Sequence, residues 1–204
     1  VSDYAVRIAQ RLDVARLSVT PTQLELLAAY LELLAKWNQT INLASFDLHE
    51  PSDGAIDRLI VESVYTSKLI DNKTLISIDV GSGGGSPSLP LKIMEPSLVY
   101  TLVESRSRKC AFLREAVRVL GLSDVRVEQT RLEDVARRES MRHTFDLVTM
   151  RAVRSDDELW VAMRTLLRPG GQVLWFGARK EAIPVGFQVL EDRPAVALLR
   201  QQSI

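Results

Sequence analysis

The chain has 204 residues, room for one well-filled domain with a small helical annex. Its 26 Lys and Arg balance 26 Asp and Glu, so the chain as a whole is no polyanion binder, although a local basic face stays open. One cysteine excludes an internal disulfide, and two histidines without HxxxH or CxxC spacing argue against a metal site. No apolar run is long enough to span a bilayer, and the first residues lack a signal-peptide layout. These features lead us to expect a cytoplasmic monomer with neither membrane nor metal partner.

Residues 1–71 read as a helical extension. Leu24, Leu27, Leu31 and Leu34 recur at three- and four-residue steps, which gives one apolar helical face. Thr20-Pro21 supplies its start: a capping hydroxyl, then a proline in the first turn. A second helix is expected over 55–69, with Ile56, Leu59, Ile60 and Val64 inward. Between the two, Lys36-Trp37-Asn38-Gln39-Thr40-Ile41-Asn42-Leu43 turns polar and amide-rich. Asn38 has a plain reading as a helix-end cap, and Trp37 reads as core before it reads as a base-stacking platform.

Residues 72–204 change rhythm and read as a Rossmann-like domain packed with the extension as one unit. Strands are expected at 75–80, 99–104, 125–130, 145–150 and 171–177, and helices at 88–95, 107–120, 132–140 and 155–167. Such alternation predicts an α/β fold, a mostly parallel sheet covered by helices on both faces. Leu166 to Gly171 reads as a helix end and turn, and 186–191 with 196–199 as a closing hairpin.

The strand ending at Val80 breaks into Gly81-Ser82-Gly83-Gly84-Gly85-Ser86-Pro87. Glycines there permit positive φ and close approach of the backbone to a ligand. Alone, such a loop is compatible with a bare strand-to-helix turn. The other marked residues fall at the carboxyl ends of later strands, where ligands of such sheets lie: Glu104, Leu132-Glu133 and Arg151. An acid about twenty residues past the loop suits ribose hydroxyls. A pyrophosphate cofactor would meet repulsion from Asp79 beside the loop, whereas a cationic methionine moiety would not. That favours S-adenosylmethionine over a dinucleotide.

Six segments carry a resemblance: KWNQTINLAS (36–45), RLIVES (58–63), DVGSGGGSPSLPL (79–91), LVESRSRKCAFL (102–113), TRLE (130–133) and FDLVTMRA (145–152). In this order the chain resembles the RsmG (glucose-inhibited division protein B) family, bacterial methyltransferases of guanine N7 in small-subunit ribosomal RNA. The resemblance implies a Rossmann-like methyltransferase fold, S-adenosylmethionine as cofactor, and ribosomal RNA or the small subunit as partner. It implies cofactor contacts at Asp79, Gly81, Gly83, Ser86, Glu104, Ser105, Leu132, Glu133 and Arg151. Lys36, Asn38 and Asn42 match an amide-rich helix end facing the site, and Arg58 matches a basic position. The chain departs from the family pattern at Leu59 for histidine, Glu62 for aspartate and Ser88 for glycine. It departs again at Gly177-Ala178 for Lys-Gly, with Arg179 and Lys180 just beyond.

Guanine N7 carries no proton, so its methylation needs no general base; positioning and electrostatics suffice. On this reading Asn38, Asn42 and Arg151 hold the base or close the site, and Lys36, Arg58 and Arg154 meet RNA. Two further cation groups, 106–118 and 137–142, read equally as RNA contacts or as a solvated face paired with acids such as Glu115. Competing functions are a cofactor-binding protein without transfer, and methylation of a small molecule or another RNA position.

Overall fold

The computed structural model describes residues 2–70, 75–154, 156–177, 183–193 and 195–202. The positions expected to carry Arg179 and Lys180 lie outside that set. Helix α1 (Asp3–Val14) precedes α2 (Pro21–Asn38), whose start is a capping box. There the Thr20 hydroxyl accepts from Gln23 N and the Gln23 side chain accepts from Thr20 N. A helical segment follows as α3 (Asp53–Ile56), a π-helical stretch (Asp57–Val61) and α4 (Glu62–Ser67). Widened turns of this kind mark functional sites more often than ordinary helix does.

Seven strands then form one sheet: β1 (Ile76–Val80), β2 (Val99–Glu104), β3 (Val125–Gln129), β4 (Phe145–Arg151), β5 (Leu167–Phe176), β6 (Phe187–Arg193) and β7 (Val196–Gln201). The order is β3-β2-β1-β4-β5-β7-β6. Pairings among β1 to β5 are parallel, and β7 runs antiparallel to both β5 and β6. Helices α5 (Ser88–Met94), α6 (Ser107–Val119), α7 (Leu132–Ala136) and α8 (Asp157–Leu166) make the crossovers.

The strand alternation sorts the core into two faces. On β1, Ile78 and Val80 join a cluster with Val135, Leu159, Trp160 and Met163 of α7 and α8. Tyr100, Leu102, Leu147 and Phe176 pack on the opposite face with Leu27, Leu31, Ile56 and Ile60 of the N-terminal helices. That second cluster is continuous from α1 to the sheet, so the extension buries its apolar stripe on the sheet itself.

Three expected elements shift. The turn expected at 166–171 lies within β5, which pairs Leu167 with Phe145 and then Gln172 with Leu147. The intervening Arg168-Pro169-Gly170-Gly171 bulges, with Gly170 at φ +77. The helix expected to 140 stops at Ala136 and yields to a short 3-10 turn, Glu139–Met141, which buries no residue. Asp156 caps α8 by accepting from Leu159 N, so that helix starts at Asp157. Among the described residues, no helix is long and apolar enough to cross a membrane.

Candidate functional site

Strand order reverses between β1 and β4, the place where such sheets open a crevice. Two cavities lie there, and Gly81 borders both. Gly81 has φ +68, and a Cβ on it would stand 3.2 Å from Val153 Cγ2. A side chain there would be strained and would crowd the wall the cavities share. Gly85 is tighter: φ +84, with a built Cβ 2.5 Å from Leu89 Cδ1. The loop is held from the other side by the fully buried Tyr30, whose hydroxyl donates to Gly84 O over 2.8 Å.

The first cavity, about 400 Å³, opens on the α7–α8 side. Gly81, Glu104, Ser105, Leu132, Glu133 and Val153 are among its walls. Glu104 is 8% exposed. Its Oε2 accepts from Gly83 N (3.1 Å) and its Oε1 from Arg106 N (2.8 Å). Two backbone donors thus orient the carboxylate, and each oxygen retains a lone pair for a ligand. The walls also carry Asp156 and Glu158, so four carboxylates face two cations, Arg131 and Arg154.

The second cavity, about 240 Å³, lies under the N-terminal helices. Its walls include Gly81 to Gly84, Ser86, Phe46, Arg58, Lys109 and Arg151. They hold no carboxylate, histidine or cysteine among the described residues. Arg151 reaches it from the end of β4, and its Nη1 donates to Glu62 Oε2 over 2.6 Å. The guanidinium carbon lies 4.4 Å from the centroid of Phe176, a cation–π contact. Burial pushes the Glu62 carboxyl up and the Arg151 guanidinium down, and the ion pair opposes both shifts. Arg151 Nε and Nη2 have no hydrogen-bond partner among the described residues.

Several expected contacts are placed differently. Asp79 is 1% exposed and lines neither cavity. The period of the strand turns it to the opposite face from Val80, where it accepts from Thr149 Oγ1 (2.6 Å) and Ser88 Oγ (3.0 Å). Ser88, a departure from the family pattern, is therefore a partner of that buried acid. Arg151 and Ser86 belong to the second cavity, and Ser86 Oγ donates to Leu59 O.

Asn38, the last residue of α2, does not cap the helix as its plain reading expected but clasps the loop that follows. Its Oδ1 accepts from Leu43 N and Ala44 N, both at 2.9 Å, and Nδ2 donates to Phe46 O at 3.4 Å. It faces the loop it folds, not either cavity. Asn42 is exposed in a neighbouring groove. Lys36 is exposed on α2 near Glu115, outside both cavities. Arg154 has a side chain 91% exposed beside Asp156 and lies on the first cavity, away from the second. Trp37 packs edge-on against Phe112, their centroids 5.8 Å apart.

A family model for rRNA small subunit methyltransferase G matches residues 23–185. The chain belongs to this family. The matched stretch contains every residue that lines the two cavities, from Leu34 to Ala162. The chain is 39% identical over 145 residues to ribosomal RNA small subunit methyltransferase G of Chloroflexus aggregans. That match covers 71% of this chain and 60% of the relative, so the chain spans less than two thirds of the relative's length. Among solved structures, a methyltransferase from Geobacter sulfurreducens superposes with a TM-score of 0.62 at 18% identity, covering 96% of this chain and 97% of that one. P. horikoshii TYW2, solved in complex with MeSAdo, gives 0.52 at 14% identity, covering 69% and 60%. These likenesses establish a Rossmann-like methyltransferase fold for the family member described here.

Sequence reasoning missed Tyr30, Phe46 and Val153 as parts of the site, and read Lys109 only as one of a group of cations. None stands in a glycine loop or at a strand end with a charge to mark it. Phe46 and Val153 reach the cavities, and Tyr30 the glycine loop, through long-range packing.

Proposed function

We propose that the chain binds S-adenosylmethionine in the first cavity and methylates a guanine N7 in small-subunit ribosomal RNA presented in the second. The residues fit that cofactor. Glu104, aligned by Gly83 N and Arg106 N, suits a ribose diol, and Leu132 with Glu133 flanks the space left for adenine. Gly81, with Gly83 and Ser105 alongside, leaves the passage a methionine chain needs to cross from one cavity to the other. The excess of carboxylates on the walls favours a cationic ligand over a pyrophosphate. When bound, the cofactor supplies an electrophilic methyl group.

The observation that carries the acceptor assignment is the make-up of the second cavity. Its walls hold no acid, histidine or cysteine to remove a proton, so it suits a nucleophile that has none to lose. Guanine N7 is such a nucleophile. Phe46 is the one aromatic ring on those described walls, a surface on which a splayed-out base can stack. Arg151, held by Glu62, and Arg58 border the base, and Asn38 acts by folding the loop that carries Phe46.

The test is calorimetric titration with adenosylmethionine, then transfer of labelled methyl to unmodified small-subunit RNA and to isolated subunits, with the modified atom mapped. Binding without transfer to either substrate would overturn the enzymatic reading. Label on an atom other than guanine N7 would overturn the choice of acceptor.

A further inference from the structure

Most arginines on this surface are neutralised. Arg118 pairs with Glu115, Arg137 with Asp134, Arg138 with Glu128 and Arg142 with Glu139. The cations around the start of α6 break the pattern, as do Arg58 in the second cavity and Arg131 in the first, but at α6 three of them share one concavity. Arg106 and Arg108 are exposed and Lys109 is half-buried, and none forms an ion pair with a described residue. These three line a groove of about 480 Å³ whose other wall is Thr40, Ile41 and Asn42 from the loop after α2. Among the described residues, no carboxylate lines it. In a chain of zero net charge, three unpaired cations in one concavity mark a place for an anion.

The groove also adjoins the second cavity, since Lys109 lines both. The Lys109 ammonium stands 3.9 Å from where a Cβ on Gly83 would lie, so it sits at the threshold between them. A chain leaving the second cavity past Lys109 therefore enters a groove of cations, amide and hydroxyl, the set that grips phosphodiesters. In the other direction lies the carboxylate-rich first cavity, which repels them.

We infer that the groove between the loop after α2 and the first turn of α6 holds the RNA phosphates next to the target nucleotide, with Arg106 and Arg108 as the principal contacts. Asn42 is then an RNA contact of this groove and has no part in the transfer step. RNA enters over α6, and Arg154, on the far side beside Asp156, does not meet it. This inference rests on the proposed RNA substrate, and it goes beyond it by fixing the strand's path.

The experiment uses Arg106→Gln/Arg108→Gln, Arg118→Gln on the same helix, and the wild type. Each is titrated with adenosylmethionine, and with unmodified small-subunit RNA across a salt series. The groove variant is expected to bind adenosylmethionine as the wild type does. Its RNA affinity should fall about tenfold or more at low salt, with the slope of log affinity against log salt reduced by about 0.7 per lost phosphate contact. KM for RNA should rise while kcat holds. Arg118→Gln should change neither. Unchanged RNA affinity and salt slope in the groove variant overturns the inference, as does an equal loss in Arg118→Gln. A wild type that binds no RNA overturns it too. A wild type that binds RNA through these arginines but takes no adenosylmethionine overturns the proposed function and leaves the groove standing.

Discussion

Arg151, at the last position of β4 and in a wall of the second cavity, is tied by a 2.6 Å hydrogen bond to Glu62, which stands at the first position of α4 outside that wall. Their side chains are 9% and 21% exposed, so this ion pair is largely out of water. It joins the helical extension to the sheet where the two form the cavity.

Breaking such a pair from one side strands a charge. Glu62→Leu should cost roughly 3–5 kcal/mol, because two Arg151 nitrogens already lack a hydrogen-bond partner among the described residues and the guanidinium would lose its one countercharge in the pair. Arg151→Met should cost a similar amount, and the double variant much less than their sum. Urea unfolding of the four proteins measures the coupling. Strictly additive losses would show that the pair contributes nothing as a pair.

Asp79 predicts a pH dependence. Burial is the dominant influence and pushes its carboxyl up, against the hydrogen bonds from Thr149, Ser82 and Ser88. The folded state therefore binds this proton more tightly than the unfolded chain. The stability it contributes is fully present below the unfolded value, about pH 4, and is lost as pH rises through the raised folded value. Asp79→Asn has no such proton. The stability of wild type relative to Asp79→Asn should thus decline as pH rises from about 4 towards neutral, as read by urea unfolding at stepped pH. A difference that is flat with pH, or grows with it, contradicts the assignment.

Glu104 should govern cofactor affinity more than its neighbour in the wall. Glu104→Gln replaces one of the oxygens that accept Gly83 N and Arg106 N with a donor, and removes the charge. Affinity for adenosylmethionine should drop about tenfold or more. Glu133→Gln, at an exposed position, should stay within about threefold. Calorimetry on both decides, and equal effects would mean that the carboxylate alignment is immaterial.

Phe46 and Asn38 should behave as platform and clasp. Phe46→Ala removes a stacking surface worth about 1–3 kcal/mol per base, so KM for RNA should rise about 5- to 150-fold with adenosylmethionine binding unaltered. Asn38→Ala leaves Leu43 N and Ala44 N without their acceptor and should cost roughly 1–3 kcal/mol of stability. It should raise KM as well. Asn38→Asp keeps the acceptor oxygen and should restore both. Lack of rescue would place Asn38 in direct contact with substrate.

The fold was legible where local chemistry and pattern agree. The capping box at Thr20, the two-residue alternation of the strands and the glycines after Val80 each act within a few residues, so the sequence determines them almost unaided. Glu104, Leu132 and Glu133 were readable for a related reason: a parallel sheet brings the ends of its strands to one edge, whatever lies between them. What the tertiary structure alone decided is which way those residues face and whom they meet. Asp79 stands beside the glycine loop in sequence, yet the strand period sends it into the core, to Thr149 seventy residues away. Asn38 looked like a catalytic amide until the chain folded Leu43 and Ala44 back onto it. The arginines of 106–108 and 137–142 look alike in sequence. Arg137 and Arg142 pair with acids three residues away in sequence, but only the folded chain brings Glu128 to Arg138 and opens a groove beside the first group. Pairs such as Arg151 with Glu62, and the cavity walls, are made by contacts between distant segments, and the arrangement of those segments is a property of the packed core.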